Sequence, residues 1–155
     1  MLGNGKNLEW DFFSFAPPHP VVYWSTLISS IALLAGAWFW KLGRQRQATT
    51  SDFCIVALTS IMASPVAWGH HYGMAVVIMA AVLPMVLRYR PFGIWSVPAI
   101  ALSYLLMALM YRWLNFLAST PLNFLQSHVF FGGLLLLALL YRLSACEGRM
   151  AGERP

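Results

Sequence analysis

Apolar residues run in long blocks along this chain, and short polar or basic stretches separate the blocks rather than alternate within them. Residues 21–40 form the first block, closed by Lys41, Arg44 and Arg46. Residues 53–87 form a second, with no Asp, Glu, Lys or Arg inside it. A helix that crosses the hydrocarbon core of a bilayer needs about 20 mostly apolar residues. The second block as one helix would be about 52 Å long against a core of about 30 Å, so it is expected to fold back. Ser64-Pro65-Val66-Ala67-Trp68-Gly69-His70-His71-Tyr72-Gly73 is where it turns. Pro and Gly end helices, and backbone released at membrane depth must be covered by protein or line a cavity. Residues 92–110 and 124–140 supply the last two blocks. The pattern predicts an all-α, polytopic membrane helical bundle. It forms one membrane domain over residues 1–155, with five spans near 21–40, 53–66, 72–87, 92–110 and 124–140.

Composition agrees with the pattern. The 155 residues are 59% hydrophobic and 10% charged, with a mean hydropathy of +0.65. A soluble domain is about half apolar and a quarter charged. So few charges cannot clothe a globule of this size, which excludes an ordinary soluble enzyme and a disordered chain alike. The net charge of +5 does not point to nucleic acid, because the basic residues are spread between apolar blocks. Counted by segment, Lys41, Arg44, Arg46, Arg88, Arg90, Arg142, Arg149 and Arg154 fall on one side and only Lys6 and Arg112 on the other. That bias puts the carboxyl end in the cytoplasm and the amino end outside. Glu9, Asp11 and Pro17-Pro18-His19-Pro20 interrupt the start, which argues against a signal peptide. Cys54 and Cys146 are expected to be reduced, structural thiols.

Once the blocks are oriented, His19, His70, His71 and His128 all fall at outer ends, as do Glu9, Asp11, Trp68 and Tyr72. Chemistry is therefore expected at the outer face. The turn from Ser64 to Tyr72 places a hydroxyl, an indole and two imidazoles at the mouth of a helix pair. Imidazoles suit a lipid-linked phosphate, and an indole suits either a sugar face or the lipid interface. The same residues also fit an ordinary turn at the headgroups. Adjacent histidines on a helix point about 100° apart, so one metal is not expected to take both. Haem held by His71 and His128 is conceivable from position, yet no Cys-x-x-Cys-His motif is present. No metal or cofactor is expected. Glu9 and Asp11 are weak candidates for a general base, since solvated carboxylates are commoner. Ser25, Thr26, Ser29 and Ser30 read as helix-packing hydroxyls, Pro84 and Pro98 as kinks, and Gly132-Gly133 as a close-packing notch.

The stretch Ser64-Pro65-x-x-Trp68-x-His70-His71 resembles a segment of the family-87 glycosyltransferases of the GT-C superfamily, similar to mycobacterial membrane mannosyltransferases. Ala67 stands where that family often has Ser. The match covers about residues 52–90, and the other spans agree in hydropathy alone. The resemblance implies transfer of a hexosyl group, mannosyl in the first instance, from a polyprenyl-phosphate-sugar donor to a cell-envelope acceptor on the outer face. His70 and His71, with Trp68, Ser64 and Tyr72, would bind the donor phosphate. A carboxylate would deprotonate the acceptor, and Glu9 and Asp11 lie on the correct side but in no motif of the family. On this resemblance the chain reads as the carboxyl-terminal portion of a larger GT-C enzyme. The implied partners are the lipid-linked donor, membrane lipids, and an amino-terminal half or another membrane subunit. Two other readings are a non-catalytic integral membrane subunit and a haem or metal membrane protein.

Overall fold

The structure, a computed structural model, describes residues 20–42, 48–64, 72–108 and 111–152. Among these the fold is all-α. Five α-helices follow one another: α1 (Pro20–Leu42), α2 (Thr50–Met62), α3 (Gly73–Tyr89), α4 (Ser96–Ala108) and α5 (His128–Gly152). Short 3-10 turns at Gly93–Trp95, Arg112–Leu117 and Pro121–Ser127 fill the connections.

Local chemistry sets several of the boundaries. The Thr49 hydroxyl accepts from the Asp52 amide at 3.3 Å, and the Asp52 carboxylate accepts from the Thr49 amide at 2.9 Å. This reciprocal capping satisfies two amide donors that the first turn of α2 would otherwise leave bare. α2 stops at Met62, three residues before Pro65, which cannot donate to the helix. α3 ends where Arg90 turns into the left-handed region at φ 44° and its amide closes on the Val86 carbonyl at 3.0 Å. Gly93, at φ +59°, makes the reversal without the backbone strain that a residue with a side chain would carry there. The Ser96 hydroxyl accepts from the Phe92 amide at 2.9 Å as α4 begins.

α5 is the axis of the bundle, packing against α2, α3 and α4. Its buried Leu136, Leu139, Leu140 and Leu143 meet Ile55 and Leu58 of α2 and Val82 and Val86 of α3 in one apolar core. Fixed contacts give the running direction of each helix. Met62, at the end of α2, lies against Gly133 near the start of α5. The start of α2 bonds to Ser144, late in α5. Arg142 of α5 covers the Phe92 ring between α3 and α4, and Ser103 of α4 bonds to Gly132. α2 and α4 therefore run one way and α3 and α5 the other. α1 joins through Leu33, Ala37 and Trp40, which pack on the core, and the outward side of α1 is a row of exposed apolar residues from Val21 to Phe39.

The five crossings expected from hydropathy require correction. Among the described residues one helical stretch, Pro121–Met150, is long and apolar enough to cross a membrane by length and composition. Thr50–Met62, Gly73–Tyr89 and Gly93–Ala108 are apolar but shorter than that. The reason is local. The 53–87 block is divided after Met62, and neither α2 nor α3 reaches the length of a full crossing. α2, at 13 residues, is about 20 Å long. Its Ser51, Asp52, Cys54, Ile55, Leu58, Thr59 and Met62 are all buried, as in a core helix. Pro98 does not sit mid-helix as a kink would. It occupies the first turn of α4, where a missing amide costs nothing. Pro84 lies inside α3, which runs unbroken from Gly73 to Tyr89.

Candidate functional site

The turn singled out in the sequence joins α2 to α3 at one end of the bundle. Ser64 is exposed just beyond α2. Tyr72 leads into α3 and is 9% exposed, its ring part of the apolar core. Of the candidate donor-binding residues, Trp68, His70 and His71 lie outside the described residues, as do the candidate bases Glu9 and Asp11 and the outer His19. Ser64 and Tyr72 are the two candidate residues that the structure describes.

His128 is the outer histidine that the structure does place. It opens α5 at the same end and is 5% exposed. Its Nδ1 lies 2.7 Å from the Leu106 carbonyl, which only accepts, so Nδ1 carries the hydrogen and donates. In the neutral ring that leaves Nε2 with the free electron pair. Nε2 is buried and meets no hydrogen-bond partner. Tyr111 stands edge-on to the imidazole, ring centroids 5.0 Å apart. Four residues on, the Gly132 carbonyl accepts from the Ser103 hydroxyl at 2.8 Å. A Cβ at Gly132 would lie 2.6 Å from Met107 Cγ, and one at Gly133 would lie 2.9 Å from Met62 Sδ. The paired glycines let α4 and α2 approach α5, as the sequence suggested.

Sequence reasoning passed over the amides beside this histidine. Asn115, Asn123 and Gln126 are all buried under the 3-10 turns. The Asn123 amide donates to the Ala118 carbonyl at 2.9 Å, and its carbonyl oxygen accepts from Gln126. An amide in a short irregular connection carries no periodic signal, so only the fold reveals that it turns inward.

The opposite end holds a second polar group of contacts. Trp40 Nε1 of α1 donates to the Ser144 hydroxyl at 3.2 Å, and that hydroxyl donates to Asp52 Oδ1 at 2.7 Å. Three helices are thereby joined through one buried serine. Thr49-x-x-Asp52 was the signal available in the sequence, since Ser or Thr followed three residues later by an acid opens helices. Negative charge in the first turn of α2 also complements the helix dipole. Cys54 is buried and both cysteines are free thiols.

Among the described residues no group of three or more His, Cys, Asp and Glu is placed to hold a metal. Among the described residues the donor set at the His128 end is a single imidazole with one nitrogen already bonded to backbone, which does not fit a haem or a metal on its own. Comparison with protein-family profiles, with curated proteins and with solved structures finds no match.

Proposed function

We propose that this chain is an integral membrane protein of the bacterial cytoplasmic membrane, built around α5. What supports membrane embedding is the apolar surface that the fold leaves uncovered. Trp24, Ile28, Ile31, Trp38 and Phe39 of α1, Val76 and Val77 of α3 and Leu102 of α4 are all exposed. Soluble monomers do not display apolar surface on this scale. Lipid covers it in this reading, with α5 crossing and the shorter helices packed beside it. Arg88, Arg90, Arg142 and Arg149 lie toward the end where α5 finishes, which supports a cytoplasmic placement of that end.

The function we infer is that of a membrane hexosyltransferase, or of a GT-C-like portion of one. It moves a mannosyl-type sugar from a polyprenyl-phosphate donor to an envelope acceptor at the outer face. The single observation that carries this reading is the Ser64-Pro65-x-x-Trp68-x-His70-His71 motif between α2 and α3. Its described flanks, Ser64 and Tyr72, sit at the end of the bundle that also holds His128. His70 and His71 hold the donor phosphate, Trp68 faces the sugar, and a carboxylate at Glu9 or Asp11 takes the acceptor proton. The test is transfer from polyprenyl-phosphate mannose in membranes carrying the chain. His71→Ala is expected to lower it by about 100-fold, the loss typical when one charge-stabilising donor is removed. Unchanged transfer in that variant overturns the site assignment.

The open face of α1 favours a second reading, a non-catalytic membrane subunit whose α1 is covered by a partner helix. Photocrosslinkers at Ile28 and Trp38 separate the two: lipid adducts alone support the first, and a discrete protein adduct the second.

A further inference from the structure

Residues 111–123 should, on hydropathy, be a water-facing loop between two apolar blocks, with residues 124–127 opening the last block. Instead residues 112–127 form two 3-10 turns packed on each other, with opposite chemistry on their two sides. The inward side is polar: Asn115, Asn123 and Gln126 are buried there beside Leu114. The outward side is aromatic and aliphatic. Trp113 is 62% and Phe116 67% exposed, their rings stacked 6.1 Å apart, and Leu122 and Phe124 are exposed beside them. A loop in water would reverse this, with amides outward and rings inward. Arg112, also exposed, is the one charged residue among residues 112–127.

The aromatic side continues into α5. Phe124 meets Phe131 edge-on at 6.2 Å, and Phe131 and Leu134 are exposed below it. Pro121–Ser127 is also the opening part of Pro121–Met150, the stretch long enough to cross a bilayer. One uncovered apolar surface therefore runs from the flat turns onto the face of the crossing helix. Trp and other aromatic rings at the end of a span, beside a cation, are the composition that settles at the headgroups.

We propose that residues 112–127 form an interfacial platform lying flat in the outer headgroup layer of the bilayer. Trp113, Phe116, Leu122 and Phe124 dip toward the acyl chains, and Arg112 meets lipid phosphate. The platform fixes how deep α5 sits and holds the His128 end of the bundle at the membrane surface. It rests on the membrane reading above.

The experiment reads depth directly. The full chain, in a Cys54→Ala and Cys146→Ala background, carries one new cysteine at a time: Trp113→Cys, Phe116→Cys, and Ala138→Cys on the exposed side of α5. Each is labelled with an environment-sensitive fluorophore and reconstituted in phosphatidylcholine–phosphatidylglycerol vesicles containing spin-labelled lipids. The platform predicts blue-shifted emission at 113 and 116, with most of it lost to shallow spin labels, and quenching at 138 by deep ones. Agreement of positions 113 and 116 guards against a fold defect in either variant. If 138 is quenched while 113 and 116 report water, the platform is wrong and the membrane reading stands. If 113 and 116 are shielded but lipid spin labels leave them bright, a protein covers the surface and the lipid assignment is overturned. If 138 also escapes quenching, the membrane reading falls and takes the platform with it.

Discussion

The two ends of α5 are attached by different means. Late in the helix, Ser144 ties it to α1 and α2 through side chains alone, with Trp40 donating to the hydroxyl and Asp52 accepting from it. Near its start, the attachment is a matter of shape. Gly132 and Gly133 remove the side chains that would hold α4 and α2 away, and one serine hydroxyl then reaches across to backbone. The first attachment is specific because three polar groups must meet. The second depends on the absence of atoms. Both ends keep buried polar atoms that meet no hydrogen-bond partner, His128 Nε2 near the start of α5 and Ser51 Oγ and Glu147 Oε2 at the other end.

The largest effect is expected where neither attachment acts. Leu139, fully buried midway along α5, sets the scale. Leu139→Ala should cost about 2–5 kcal/mol through lost contacts and the cavity left behind, read as a fall in thermal unfolding temperature in detergent. Next comes the polar end. Asp52→Ala removes the carboxylate half of the capping pair at the start of α2 and the acceptor of Ser144, and about 2–4 kcal/mol is expected from the two losses. Asp52→Asn keeps one acceptor oxygen and should recover part of that. If Asn is as harmful as Ala, the charge rather than the hydrogen bonds holds that end, and the comparison needs redrawing.

At the glycine end, Gly132→Ala should cost about 1–3 kcal/mol, because its new Cβ meets the Ser103 carbonyl and Leu106 Cβ at 3.0 Å as well as the Met107 side chain. A neutral result would mean that α4 can step back freely, and the approach there is loose. The smallest effect is expected for Trp40→Phe. It removes one donor from Ser144 but keeps the aromatic packing on Tyr141, where the ring centroids are 4.7 Å apart. About 0.5–1.5 kcal/mol is the usual loss for one such bond. Measured together, Asp52→Ala and Trp40→Phe should be non-additive, since both act on the same hydroxyl.

Much of the candidate site was legible only as composition. The Pro65 and Gly69 turn marked where α2 must end and α3 begin, and the described helices stop and start on either side of it. The role of Tyr72 was not legible. An aromatic residue at a helix start suits the lipid interface and the core equally well, and only packing turned its ring inward. His128 was visible as an outer histidine. Its tautomer was not, because the carbonyl that sets it belongs to Leu106 on another helix.

By itself, then, the sequence determined what short-range physics controls. Helix-forming apolar blocks, a Thr-x-x-Asp start, Pro and Gly breaks and a small-residue notch each act within a few residues, and each can be read in order along the chain. Tertiary structure decided everything that needed two distant segments at once. It decided that Asp52 meets Ser144, that Ser103 meets the Gly132 carbonyl, and that α5 rather than α1 is the axis. It also left α2, α3 and α4 shorter than a full crossing, and it folded residues 112–127 into two 3-10 turns with amides inward and aromatic rings outward. The reason is that a hydrogen bond or an apolar contact is blind to sequence separation. Which partners meet depends on how whole helices pack, and no local pattern encodes that.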